Sequence, residues 1–444
     1  MPGSGEVVVA CREIGDDLRR TVGVREGWVH DAPPTDGGRP FASAGGQVSA
    51  LRHRWWAPVA LAYAAFVLVG LSAGVGGVLL PAQIRDYGLD KATIGTTFFS
   101  FSAGFMLAGS TAGTLIHRFG VRAALAAGGG AYVLAGLCTA LRPPFLALVV
   151  IQLVAGYGTG ILESVLNAYL AGLPRATTLL NRLHAFFGVG ALLGPLLATW
   201  MLDRLPWTAV WLVLALICVP LMAGFLLTLP RGRTEVPETT ETGGNGLLAA
   251  ASREPAVLLG AAFLAVYVGL EISVGNWGFT FLVDARGQAD LLAGYTVSGY
   301  WLGLALGRFL ISPVAARIGM TDTGMTFACL AGITASAVLA WVAPGTAVAS
   351  ASFVLLGFCL GPIFPTTMAV APRLTVARLV PTAIGLLNGV SVVGGAVFPW
   401  LAGAIAQGVG TWTLPPFAVA LALAQLGLWW LLAARMTSPS GTPA

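Results

Sequence analysis

The segment 145–171 reads FLALVVIQLVAGYGTGILESVLNAYLA, and Glu163 is its one charged residue. A run of this length and apolar character predicts a helix that crosses the roughly 30 Å hydrocarbon core of a membrane. Similar runs follow one another along most of the chain, in which 56% of residues are hydrophobic and 10% are charged. A soluble protein could not bury so much apolar surface. The sequence therefore predicts an all-α polytopic membrane protein.

Twelve such segments can be delimited, and they are too long and too uniformly apolar to be strands of a membrane barrel. The predicted helices lie at 56–80, 92–116, 123–141, 145–171, 183–202, 207–229, 257–283, 291–315, 324–343, 347–370, 382–407 and 413–434.

The basic residues predict the orientation in the membrane. About 18 of the 24 Lys and Arg residues lie before the first helix, in the even-numbered connections or in the tail. This asymmetry favours a cytoplasmic location for both termini of a multi-pass protein in the inner (plasma) membrane, in contact with its lipid bilayer. The net charge of +5 is thus a signal of topology and gives no reason to expect a nucleic-acid partner.

The longest polar connection divides the helices into two groups of six. The two groups echo each other at an offset of about 200 residues, for example Arg118-Phe119-Gly120 against Arg317-Ile318-Gly319. Two parallel repeats are typical of a rocking carrier whose site lies between its halves. The predicted parts are a disordered cytoplasmic extension at 1–54, an N-terminal six-helix bundle at 55–229, a cytoplasmic linker at 230–256, a C-terminal six-helix bundle at 257–435 and a cytoplasmic tail at 436–444.

Glu163, Glu271 and Arg308 are the charged residues that lie deep inside apolar segments. A charge at mid-membrane costs about 2.5–3.5 kcal/mol on insertion scales, and such residues usually mark an ion or substrate path. Gly156, Gly160, Glu163 and Asn167 share one helix face. Two structural alternatives stay open: Glu163 hydrogen-bonds a neighbouring helix, or Glu271 and Arg308 merely pair with each other.

Motifs add a family resemblance over about 55–435. GTLIHRFGVR at 113–122 resembles the loop signature of the major facilitator superfamily, with His117 in place of the usual Asp. LESVLNAY at 162–169 is similar to a motif in the fucose permease branch of proton–sugar symporters, as are WLGLALGR at 301–308 and GPIFPT at 361–366. That branch has an Asp where this chain has Gly77, so Glu271 is expected to take part of its role.

The resemblance implies that Glu163 exchanges the coupling proton and that Asn167 lies near the sugar. Glu271 is the second candidate for proton coupling, while Arg308, Arg118 and Arg122 are candidate gating residues. Aromatic side chains could stack against a sugar ring and amide side chains could bind its hydroxyls, although aromatic residues in spans are often lipid-facing or core residues. The full set of predicted substrate-binding residues is Asn167, Asn276, Trp277, Asn388, Trp301 and Phe364.

The predicted function is proton-coupled uptake of a small-molecule sugar, fucose-like or hexose-like, by alternating access in a monomer. The proton serves as coupling ion, and no other cofactor and no metal is expected. The chain is not expected to be an enzyme, because no predicted span holds a nucleophile–base pair or a His/Asp metal cluster. The alternative is an efflux antiporter of drugs or metabolites with the same fold, since GALLGP at 190–195 partly matches an antiporter signature.

Overall fold

The computed structural model describes residues 44–230 and 245–436, and every regular element in these ranges is helical. The predictions for 1–43, for 231–244 within the linker and for 437–444 in the tail lie outside the described residues. The chain from Arg52 onward forms one compact unit.

The long helices are labelled α1 to α12 in chain order. The helix Thr96–Ala140 is divided at Gly120 into α2 and α3, and α10 consists of two segments separated by a break. The bounds are Ala44–Tyr87 for α1, Thr96–Ala140 for α2 with α3, Phe145–Ala171 for α4, Ala176–Leu202 for α5, Trp207–Thr228 for α6, Pro255–Asp284 for α7, Asp290–Arg317 for α8, Asp322–Val342 for α9, Thr346–Leu360 and Ile363–Val370 for α10, Val380–Gly408 for α11 and Leu414–Ala433 for α12.

The division at Gly120 gives the predicted number of membrane spans. Eleven helices in the described residues are long and apolar enough to cross a membrane, and one of them, Lys91–Ala140, has 50 residues. Gly120 has φ 82° and ψ 163°, a backbone conformation that side chains disfavour and that interrupts the helix. Counting its two parts separately gives twelve spans, which confirms the predicted polytopic all-α fold.

Glycines let neighbouring helices approach until their backbones touch. A Cβ atom on Gly156 of α4 would clash with the carbonyl oxygen of Phe101 in α2, and one on Gly104 of α2 would clash with that of Leu153 in α4. In lipid, helices associate mainly through such close packing, because burying apolar surface against apolar tails gains little.

Several contacts join helices α1–α6 to helices α7–α12 at one end of the molecule. A Cβ on Gly77 would lie 2.4 Å from the Gly275 oxygen. The main-chain N–H of Lys91 donates to Gln407 Oε1 at 3.0 Å, and the rings of Phe98 and Trp277 are 6.5 Å apart. Towards the opposite end, Gly113 in α2 and Gly385 and Gly389 in α11 have open space where a Cβ would be. The predicted division into two bundles at 230–256 stays a prediction.

We expect Gly104→Ala to destabilise the protein and Gly109→Ala, on the same helix, to leave it as stable or more so. Gly104 has no room for a methyl group, and overpacking typically costs about 1–3 kcal/mol. Gly109 has nothing within 4 Å of its Cβ position, so alanine there only gains helix propensity. Thermal unfolding in detergent measures both variants. Equal losses of stability would contradict the packing seen between α2 and α4.

Candidate transport site

An ion pair joins two helices in the interior of the span region. Arg308 Nη2 of α8 lies 3.7 Å from Glu271 Oε1 of α7, and the two side chains are 26% and 11% exposed. This distance gives Coulomb attraction without a direct hydrogen bond. The Nε atom of Arg308 is buried with no hydrogen-bond partner among the described residues. The Nε–H group of Arg308 therefore remains free to form a further hydrogen bond.

Two buried tyrosines surround the ion pair. The hydroxyl of Tyr300 donates to the main-chain oxygen of Glu271 at 2.9 Å, which ties α8 to α7. The hydroxyl of Tyr267 donates to the main-chain oxygen of Leu360 at 3.2 Å, and it also lies in interaction range of the Glu271 and Arg308 side chains. Sequence reasoning missed Tyr267, although its position four residues before Glu271 places both on one face of α7.

Close packing of α8 on α10 fixes this cluster. Gly303 and Gly307 of α8 press against main-chain oxygens of α10, and a Cβ on Gly361 would lie 2.5 Å from the main-chain nitrogen of Arg308. Phe364 follows the α10 break, and its ring centroid lies 6.1 Å from that of Tyr267. The structure thus brings together three predicted residues, Glu271, Arg308 and Phe364.

Glu163 of α4 has a different environment. Its side chain is partly exposed, and the structure gives its carboxylate no hydrogen bond or ion pair to any described residue. The Asn167 amide donates to the main-chain oxygen of Glu163 at 2.8 Å, one turn along the helix. Gly156 and Gly160 on the same face pack against α2. The glycines therefore serve packing, while the carboxylate lacks the neighbouring-helix partner that a structural role requires. A carboxyl group so placed can take up and release a proton.

The two predicted tryptophans are packing residues in this conformation. Trp277 is buried and its Nε1–H donates to the Pro399 oxygen of α11 at 2.7 Å. Trp301 is buried and lies against Gly275, with its ring centroid 5.3 Å from that of Tyr300. The Nε1 atom of Trp301 is buried with no hydrogen-bond partner among the described residues.

The remaining predicted residues lie apart from the ion pair. Asn276 donates to the Ile272 oxygen of its own helix at 3.1 Å and borders Gly76 of α1. Asn388 on α11 and Arg118 at the end of α2 are exposed, and Arg122 is half-buried at the start of α3. None of the contacts among the described residues joins these four to Glu271 or Arg308.

His184 links the two groups of helices beside the ion pair. It lies on α5 in interaction range of Arg308, and its ring meets that of Phe66 in α1 edge to face at 5.6 Å. One turn further along α5, a Cβ on Gly188 would lie 3.2 Å from the Cβ of Ala305 in α8. Movement between α5 and α8 would therefore change the surroundings of Arg308.

The family model of the Major Facilitator Superfamily matches residues 62–349. The chain belongs to the major facilitator superfamily. This membership makes it a membrane transporter, and it confirms the expectation that the chain is not an enzyme.

Two relatives within the superfamily align with most of the chain. The "Bypass of stop codon protein 6" of Saccharomyces cerevisiae is 26% identical over 392 residues, covering 79% of this chain and 77% of its own. The glucose/mannose transporter GlcP of Bacillus subtilis is 23% identical over 349 residues, covering 77% of this chain and 86% of its own.

Solved transporters share the superfamily fold. The nucleoside transporter NupG has a TM-score of 0.71 at 15% identity, over 86% of this chain and 100% of its own. The E. coli fucose:proton symporter FucP has a TM-score of 0.60 at 16% identity, over 86% of this chain and 98% of its own. At these identities the likeness shows the fold alone.

The GALLGP segment at 190–195, which partly matches an antiporter signature, has a packing role in this chain. A Cβ on Gly190 would clash with the Val67 oxygen of α1, and one on Gly194 would lie 2.8 Å from the Leu71 oxygen. Close contact of α5 with α1 therefore accounts for both glycines.

We expect Arg308→Gln to lower the stability of the protein clearly and Arg373→Gln to change it little. Removing one partner of a buried pair typically costs about 3–5 kcal/mol, and the partial exposure of this pair predicts the lower end of that range. The Arg373–Asp322 pair, at 3.6 Å, is about half exposed and should contribute little. Thermal unfolding in detergent tests this.

The double variant Glu271→Gln with Arg308→Gln serves as the control for charge. Since it leaves no unpaired charge, we expect it to be more stable than Arg308→Gln alone. If the double variant lost the sum of the two single effects, Glu271 and Arg308 would not be energetically coupled.

Proposed function

We propose that this transporter imports a neutral sugar of hexose size together with one proton, and that Glu163 carries the proton. The observation that carries the proposal is the unpaired carboxylate of Glu163 inside a membrane span, next to the Asn167 amide. Glu271 is already compensated by Arg308. Glu163 is therefore the acid within a span that has no cation beside it among the described residues.

The proposed cycle follows from the cost of moving an unpaired charge through a dry state. With Glu163 ionised, closure of the site would desolvate a lone carboxylate, which is strongly unfavourable. A proton from the outer side neutralises it, sugar binds, and the loaded site can then occlude and reopen inward. Glu271 is compensated by Arg308 in this structure, and Asn167 supplies a donor and an acceptor for sugar hydroxyls.

One proton supplies enough energy for uptake. Moving one elementary charge across 100 mV is worth about 2.3 kcal/mol, so a potential of about 150 mV provides roughly 3.4 kcal/mol. At about 1.4 kcal/mol per factor of ten, this supports roughly 300-fold accumulation of a neutral solute. A second proton is not required.

Relatives support the choice of a sugar. GlcP is named as a glucose/mannose transporter, and FucP is named as a fucose:proton symporter. The interior of this chain offers amides, tyrosine hydroxyls and aromatic rings, which suit a polyhydroxylated ring. It offers no cation beyond Arg308 to compensate an anionic substrate deep in the described spans.

The same proposal includes the placement of the molecule in the membrane. Basic residues in the even-numbered connections put both termini in the cytoplasm, so the end where Gly77 meets Gly275 would face outward. The structure would then represent an inward-facing state of a monomer, with bundles at 55–229 and 257–435 that rock about the site.

Glu163→Gln tests the coupling in proteoliposomes. We expect the variant to lose sugar accumulation driven by an imposed proton gradient while it keeps exchange of labelled for unlabelled sugar, because a permanently neutral site still occludes. Glu254→Gln, which alters a carboxylate outside the apolar span of α7, is the matched control and should accumulate sugar normally. Gradient-driven accumulation by Glu163→Gln would refute the proton role of Glu163. If the unaltered protein exported organic cations and did not transport sugar, the alternative function as an efflux antiporter would be favoured.

Asn167→Ala tests the sugar contact. We expect about a tenfold rise in KM for the transported sugar, which corresponds to about 1.4 kcal/mol of lost hydrogen bonding. Asn181→Ala at the exposed start of α5 is the control and should leave KM unchanged. The measurement is initial uptake rate against sugar concentration; an unchanged KM for Asn167→Ala would remove this residue from the binding site.

A further inference from the structure

The break in α10 lies directly beside the ion pair. The first segment of α10 ends at Leu360, and the second begins at Ile363, after Gly361 and Pro362. The last carbonyls of a helix have no partner within it. The hydroxyl of Tyr267 fills this role for Leu360, at 3.2 Å, so a side chain of α7 holds α10 at its weakest point.

Tyr267 has two acceptors within reach and one proton to give. A phenolic hydroxyl donates a single hydrogen bond. The Leu360 carbonyl receives it in this structure, but the Glu271 carboxylate, one helical turn away, lies in interaction range. A hydrogen bond to an ionised carboxylate is roughly twice as strong as one to a neutral carbonyl. The Glu271 carboxylate therefore competes for the proton whenever its charge is not compensated.

We propose that Tyr267 is a positioning residue that shares its hydroxyl proton between the Leu360 carbonyl and the Glu271 carboxylate, so that the compensation of Glu271 by Arg308 sets how firmly α10 is held at its break. While Arg308 compensates Glu271, the hydroxyl stays on Leu360 and α10 is held. When the carboxylate is charged and Arg308 is displaced, the hydroxyl turns to Glu271 and the second segment of α10 is released.

The groups that face the Glu271 carboxylate make this exchange selective. Arg308 and Tyr300 approach from α8, and Tyr267 from α7 itself; His184 of α5 stands beside Arg308. Tyr300 cannot perform the same exchange, because its hydroxyl donates to the main-chain oxygen of Glu271 and does not reach the α10 break. Arg308 is thus the group whose displacement, by substrate or by movement of α5, would start the release.

The inference deepens the proposed function, since it assigns the exchange to the transport cycle, but the contacts that carry it do not depend on which solute is moved. Its test therefore needs no sugar. Amide hydrogen exchange of 361–370 in the purified protein in detergent, at one pH and well below the unfolding temperature, reports how firmly the second segment is held. No substitution used falls within that peptide, so its intrinsic exchange rates stay constant.

We expect Tyr267→Phe to speed exchange of 361–370 about three- to tenfold, as expected for loss of one buried hydrogen bond. Tyr300→Phe, which also removes one buried hydroxyl near Glu271, is the matched control and should leave this peptide within about twofold of the unaltered protein. Equal acceleration by both variants, or none by Tyr267→Phe, would overturn the inference.

Arg308→Gln provides the second arm, because it removes the cation that compensates the Glu271 carboxylate. We expect it to speed exchange of 361–370 about three- to tenfold in the unaltered and Tyr300→Phe backgrounds and to have no further effect in the Tyr267→Phe background. Persistence of the Arg308→Gln effect without the Tyr267 hydroxyl would overturn the inference. If Arg308→Gln does not yield folded protein, the comparison of Tyr267→Phe with Tyr300→Phe decides. Failure of the proposed sugar transport would instead be seen only in the uptake assays.

Discussion

The cost of holding charge in an apolar interior is the constraint on which this structure depends. Three charged residues lie deep in the spans, and the protein treats them in two ways. Glu271 and Arg308 compensate each other across α7 and α8 at 3.7 Å, whereas Glu163 has no partner among the described residues. In a site built in this way the carboxylate of Glu163 is the group whose charge can be neutralised, and a proton is the simplest species that can neutralise it.

The close approach of α8 to α10 positions the Arg308 end of the ion pair. Gly303 and Gly307 on α8, and Gly357 and Gly361 on α10, let the two backbones touch. This packing places Arg308 against the α10 break, and it places Tyr300 where its hydroxyl can donate to the main-chain oxygen of Glu271. The same residues that hold the helices together therefore decide where the charges lie. Since the carbonyl of Leu360 at the α10 break has no partner within the helix, its hydrogen bond to Tyr267 links the break to the site.

Most of the fold could be predicted from the sequence, because long apolar runs leave few alternatives to membrane helices. The helix ends could not be predicted. The helix α1 continues to Tyr87, seven residues past its predicted end at 80, because extending an existing helix is much easier than starting one. The Glu271–Arg308 pair was one of two open interpretations. The packing of Trp277 and Trp301 agrees with the alternative that aromatic residues in spans are often core residues, but their partners could not be predicted, because one sequence does not give the facing of twelve helices. Tyr267 could have been found from its spacing to Glu271.

The proposed transport cycle requires that sugar and proton enter together, with Glu163 as the carrier. The most direct test is the external pH of a lightly buffered suspension of de-energised cells that express the protein, after glucose, mannose, galactose or fucose is added. We expect alkalinisation with at least one sugar, and none with the Glu163→Gln variant inserted at the same level. Uptake of labelled sugar without any change in pH, or alkalinisation that survives Glu163→Gln, would contradict the proposed cycle.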